Sequence, residues 1–148
     1  MIVCAITGHR RLGRDFSERD AEIRLTQLVG MGVDVFLCGM AMGFDMLCCE
    51  ILLRLREKYP IKIVAVIPCK NQSEKFPESE KRRYENLKLA CDRQEILHEK
   101  YVEGCMFERN RKMVDECDLV FAYLKEARGG TKYTVDYAKK KRKPIVFL

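Results

Sequence analysis

Two glycine-led stretches carry residue types at spacings that could do chemistry. The first is Gly39-Met40-Ala41-Met42-Gly43-Phe44-Asp45, which follows the run Val33–Leu37 and leads into an apolar segment from Met46 to Leu55. A strand, a glycine turn and a helix in that order make an anion site. The first N–H groups of a helix have no internal partner, its dipole adds partial positive charge, and glycines let a phosphate reach the backbone. The same residues could equally serve as a tight turn alone. A Walker motif needs Lys-Ser/Thr after its second glycine. Phe44-Asp45 stands there instead, which argues against a P-loop nucleotidase. The second stretch is Gly129-Gly130-Thr131, at the start of the last predicted helix. It reads as a second phosphate cradle, or as an N-cap with a flexible entry.

Side chains near these turns supply candidates for recognition. Arg10, in Thr7-Gly8-His9-Arg10, could clamp a phosphate or carboxylate in bidentate fashion, or stand solvated beside Arg11 and Arg14. His9 reads as a turn residue before a catalyst. Asp45, in a first helical turn, either complements the dipole or accepts from a ribose hydroxyl or base edge. Glu50 lies roughly 140° further round the same helix, so the two carboxylates are not a paired acid and base. Glu50 either pairs with a buried cation or reaches solvent. Asn110 falls between Met106 and Met113-Val114 on the expected inward stripe of its helix. A buried amide must find hydrogen bonds, from a neighbouring loop or from a ligand. Arg109 is expected to point off that stripe, toward the rim or a subunit neighbour.

The elements that position these residues alternate regularly. Apolar runs predict strands at Ile2–Ile6, Val33–Cys38, Ile61–Ile67, Gln94–Leu97, Leu119–Tyr123 and Pro144–Leu148. Between them lie predicted helices. Ser17 caps the first, the second runs on from Met46, and the others cover Glu78–Cys91, Cys105–Cys117 and Thr131–Lys141. The strands are apolar without alternation by twos, as in a parallel sheet covered on both faces. The fold class is therefore α/β: a Rossmann-like three-layer α/β/α sandwich with a mainly parallel sheet of about six strands. Every loop that follows a strand lies on one edge of such a sheet. Thr7–Arg10, Gly39–Asp45, Pro68–Phe76 and Lys125–Thr131 thus converge on one rim.

Composition narrows the rest. A chain of 148 residues, 47% hydrophobic and 34% charged, fits one domain over 1–148 with a substantial core. No apolar run reaches membrane-spanning length, so no membrane partner is expected. The start lacks a basic region before its apolar run and does not read as a signal peptide. Eight cysteines without an export signal suggest reduced thiols and a cytoplasmic location. No C-x-x-C pair occurs, so no metal is expected, and nothing points to a cofactor. The net charge of +6 permits an anionic partner. The basic run Lys139–Lys143 reads first as a solvated helix end and second as a nucleic-acid contact.

The ordered set of motifs resembles the YpsA-like branch (DUF1273 type) of the SLOG superfamily, named for the DprA and LOG proteins. The resemblance rests on Thr7–Arg10, Gly39–Asp45 with Glu50, Gln72 with Phe76-Pro77, and Tyr101 through Cys105. It continues through Arg109-Asn110, Met113-Val114-Asp115 with Asp118, and Gly129–Thr131. It covers essentially the whole chain. It implies a nucleotide or nucleotide-derived small molecule at the C-terminal edge of the sheet, bound by a sensor or regulatory module. The site implied comprises Thr7, Gly8, Arg10, Gly39, Met40, Gly43, Asp45, Arg109, Asn110, Gly129, Gly130 and Thr131. The LOG branch cleaves the N-glycosidic bond of nucleoside monophosphates, and its catalytic arginine matches Arg109. Its glutamate, three residues after the loop threonine, is here Thr134, whose hydroxyl cannot do a carboxylate's work at neutral pH. The DprA branch allows single-stranded DNA binding, but Phe76 is the one aromatic expected in the most exposed loop, so nucleic acid ranks last. A homodimer through the exposed face of the 105–117 helix and an unidentified protein partner are further expectations.

Overall fold

A computed structural model describes residues 1–148. The elements run β1 (Ile2–Gly8), α1 (Glu18–Gly30), β2 (Val33–Cys38), α2 (Phe44–Arg56), β3 (Lys62–Ile67), α3 (Glu78–Ala90), β4 (Arg93–Ile96), α4 (Cys105–Glu116), β5 (Leu119–Tyr123), α5 (Gly130–Lys140) and β6 (Ile145–Phe147). All six strands are parallel, in the order β4-β3-β2-β1-β5-β6. Strand order reverses at β1/β5, where a doubly wound sheet opens a crevice beyond the strand ends.

Alternate residues of the central strands feed two cores. Cys4, Ile6, Phe36, Cys38 and Ile63 join a cluster of 24 buried residues beneath α1, α2 and α3. Ala5, Val35, Leu37, Val64 and Val66 join a cluster of 12 beneath α4 and α5. Burial on both faces is why these strands show no alternation in sequence. The edge strands β4 and β6 have only four and three residues, which leaves little unpaired backbone for another chain to add to.

Boundaries depart from expectation for identifiable reasons. β1 continues two residues past Ile6 because Thr7 and Gly8 pair with Ala122 and Tyr123 of β5. α2 starts at Phe44, since Gly43 forms its N-cap with φ of 84°. Ser17 caps α1 as expected, its Oγ accepting from Asp20 N at 3.1 Å. Glu50 pairs with Arg83, tying α2 to α3, with the Arg83 Nε to Glu50 Oε2 distance at 3.0 Å. Seven of the eight cysteines are buried, and they pack as small hydrophobes. No helix is long and apolar enough to cross a membrane.

Candidate functional site

The loops after β1, β2, β4 and β5 and the starts of α2, α4 and α5 enclose a cavity of about 510 Å³ at the strand-order reversal. Nine of the twelve expected site residues line it: Thr7, Gly8, Arg10, Asp45, Arg109, Asn110, Gly129, Gly130 and Thr131. Four arginines line it (Arg10, Arg11, Arg109 and Arg128) against two carboxylates, Asp45 and Glu126, so the cavity is formally cationic.

Gly39, Met40 and Gly43 do not line the cavity, and the reason is steric. A Cβ on Gly39 would lie 2.8 Å from Arg109 Nη1 and 3.1 Å from Asp45 Oδ2. A Cβ on Gly43 would overlap the Arg10 backbone carbonyl. Met40 is fully buried, with φ of 63°. The spaces beside Gly39 and Gly43 are therefore filled by the protein itself, while Ala41 between them lines the cavity. Gly8 does line the cavity, yet its missing Cβ makes room for the Phe44 ring, which stacks on Tyr123.

The second glycine turn is open. Gly129 is the N-cap of α5 with φ of 102°, and no side-chain hydrogen bond caps the helix. A Cβ on Gly129 would meet no atom within 4 Å. One on Gly130 would meet only Asn110 Nδ2, at 4.0 Å. The first amides of α5 thus face the cavity without a side-chain acceptor. Thr134 is buried, and its hydroxyl donates to Gly130 O at 2.8 Å. Asp136 is exposed and pairs with Lys132. Neither Thr134 nor Asp136 lines the cavity.

α4 corrects the expected orientation. Arg109, only 4% exposed, points inward with Cys105 and Met113 on an i, i+4, i+8 face, whereas Asn110 is half-buried beside it. Arg109 Nη1 donates to Gly39 O and, at 3.2 Å, to Val66 O, while Nε donates to Asn110 Oδ1 at 2.8 Å. Nη2 makes none of these bonds. Gly39 O also accepts from Gln72 Nε2 at 3.0 Å, and Gln72 Oε1 accepts from Tyr84 OH at 2.8 Å. An arginine at a core position reads in sequence as a surface residue, so the stripe points to its neighbour instead.

Asp45 lies across Gly39 from this guanidinium. Its Oδ2 accepts from Ala41 N at 3.3 Å, while the buried Oδ1 has no hydrogen-bond partner. Burial pushes the carboxyl up to about 6, against the pull of Arg109, the Ala41 N–H and Arg10. Burial likewise lowers Arg109, with Asp45 opposing it. Desolvation therefore outweighs attraction for both groups. His9 is buried, and its Nε2 accepts from Lys125 N at 2.8 Å and Glu126 N at 3.2 Å. It pins the β1 loop to the β5 loop across the crevice.

α5 starts at the cavity and runs back along the sheet, so Lys139–Lys143 lies at the far edge, where Lys143 Nζ donates to Cys117 O at 2.7 Å. Tyr101 and Phe107 line the cavity and are 58% and 42% exposed. In the sequence Tyr101 enters only as part of a motif and Phe107 not at all, because nothing there shows that the two share a cavity mouth.

Residues 5–146 match the model of the YspA SLOG family. The chain belongs to that family. Similar proteins include a UPF0398 protein of Bacillus velezensis, 28% identical over 96% of this chain and 86% of its own length. Another is a UPF0398 protein of Oceanobacillus iheyensis, 24% identical over 97% of this chain and 85% of that protein. Among solved structures, DNA processing protein A from Helicobacter pylori superposes with a TM-score of 0.71 at 23% identity. The Streptococcus pneumoniae protein of that name gives 0.73 at 18%. This SLOG chain is covered to 99% in both, but spans only 64% and 50% of those chains. At such identity the likeness is one of fold, and it agrees with the Rossmann-like sandwich. The work on the Helicobacter pylori protein describes its single-stranded DNA binding mode.

Proposed function

We propose that this protein binds a nucleotide or nucleotide-derived small molecule in the cavity at β1/β5 and acts as a sensor or regulatory module. The observation that carries this reading is Asp45, which lines a cationic cavity and whose buried Oδ1 has no hydrogen-bond partner. A buried acceptor left unsatisfied costs about 1–3 kcal/mol, which a ligand hydroxyl would recover. The uncapped start of α5 and the arginines suit phosphate, and Asp45 suits a sugar hydroxyl. Hydrolysis of the LOG kind is disfavoured because Thr134, at the glutamate's position, is spent on Gly130 O. Isothermal titration against nucleoside monophosphates, diphosphates and ribose 5-phosphate tests the reading. Binding by wild type that weakens at least tenfold in Asp45→Asn supports it; no binding across the panel rejects it.

A second reading, single-stranded DNA binding, draws on exposed Tyr101 and Phe107 beside Arg10 and Arg128. It predicts oligonucleotide affinity that falls steeply with salt and depends on Tyr101. Lys139–Lys143 would play no part, since that run lies at the far edge.

A further inference from the structure

A second cavity, of about 490 Å³, adjoins the first and shares Arg10, Tyr101 and Met106 with it. Its character is different. Where the first is lined by arginines and glycines, the second carries half-buried Met42, Met106 and Phe76 over a floor of buried Cys69 and Gln72, with half-buried Asn71 and exposed Glu74 and Lys75 also lining it. The floor asks nothing of a ligand: the Gln72 amide is used on both sides, by Gly39 O and Tyr84 OH. Burial raises the Cys69 thiol, which therefore stays neutral. Two thioethers and a phenyl ring around a neutral floor favour a flat, polarisable guest.

The cavity is also preformed. The Phe76 ring is held edge-on against Tyr84, with centroids 5.7 Å apart. Phe76 N donates to Ser73 O, and Gln72 N to Cys69 O, each within a tight turn. Tyr101 N donates to Asn71 Oδ1 at 3.0 Å, and Lys70 N to His98 O at 3.0 Å. These bonds join the β3–α3 loop to the β4–α4 loop and fix Tyr101 at the junction of the two cavities. Little ordering is left for a ligand to bring about.

We infer that the second cavity is the subsite for the heterocyclic base, with the phosphate and sugar in the first. The ligand passes between Arg10 and Tyr101. This rests on the nucleotide reading above and adds where the base goes and what grips it: Met42, Met106 and Phe76, through stacking and dispersion, with no fixed hydrogen-bond code from the floor. A site of this kind ranks nucleotides by the size of the base more than by its edge.

The test is titration of wild type, Phe76→Ala and Met42→Ala with ribose 5-phosphate and with the 5′-monophosphates of adenosine, guanosine, cytidine and uridine. Thermal melting checks that each variant is folded. The expected result is that purine monophosphates bind wild type at least tenfold more tightly than ribose 5-phosphate. Either substitution should remove most of that advantage and leave ribose 5-phosphate within twofold of wild type. Unchanged monophosphate affinity in both folded variants overturns the base subsite while leaving the nucleotide reading intact. An equal loss for ribose 5-phosphate and the monophosphates also overturns it, since the two cavities would then not divide the ligand. Absence of binding by wild type to every probe rejects both together.

Discussion

The two glycine-led helix starts look alike in sequence and differ in substance. At α2, the space left by Gly39 holds a buried guanidinium and a buried carboxylate, and that left by Gly43 holds a backbone carbonyl. At α5, the space beside Gly129 and Gly130 is empty apart from one distant amide nitrogen. α4 bridges the two: Arg109 reaches Gly39, and Asn110 reaches toward Gly130. The lesson is that a glycine turn before a helix marks close approach without saying of what. One turn serves internal packing and sets out Asp45 and Arg109; the other leaves its backbone open to the cavity.

The largest effect should come from the filled side. Gly43→Ala places a Cβ against the Arg10 carbonyl at a left-handed φ, so a loss of more than about 3 kcal/mol is expected. Denaturant unfolding measures it, and a loss under about 1 kcal/mol would mean the turn is looser than described.

Asp45 gives the next effect, and it depends on pH. Burial raises the folded carboxyl from 3.8 to about 6, so the folded chain holds that proton more tightly than the unfolded chain. This contribution to stability is intact below about pH 4 and is lost as pH rises through about 6, amounting to at most about 3 kcal/mol. In Asp45→Asn that decline should vanish, which makes the variant relatively more stable at pH 7 while ligand affinity falls. Unfolding curves at pH 4 and pH 7 for both proteins check this; parallel profiles would contradict it.

On the open side the effects on stability shrink. Gly129→Ala meets no atom but keeps φ of 102°, so it should cost about 1–2 kcal/mol. Gly130→Ala has neither problem and should shift stability by less than about 1 kcal/mol in either direction. Its ligand affinity should drop all the same, because a methyl group would stand over the first amides of α5. Calorimetric melting paired with titration separates the two quantities.

The strands, the helices and the rim on which the site lies are legible in the sequence because apolar runs and breakers report burial on both faces directly. The convergence of Thr7, Arg10, Asp45 and Gly130 follows from the geometry of a parallel sheet. What is not legible depends on side-chain competition for space. The pattern places Arg109 outward because charge ordinarily means surface, yet Gly39 O and Val66 O hold it in the core. Gly39 and Gly43 invite a ligand because sequence cannot show that Arg109 and Arg10 fill the space beside them. Tyr101 and Phe107 gain meaning only once the cavity gives them a shared mouth.

Amide chemical-shift perturbation with a purine nucleoside monophosphate tests the contrast most directly. The predicted result is that the largest shifts fall on Gly130, Thr131 and Lys132, with the amides of Gly39 and Gly43 little moved. Shifts concentrated on Gly39 and Gly43, with the start of α5 silent, would contradict it.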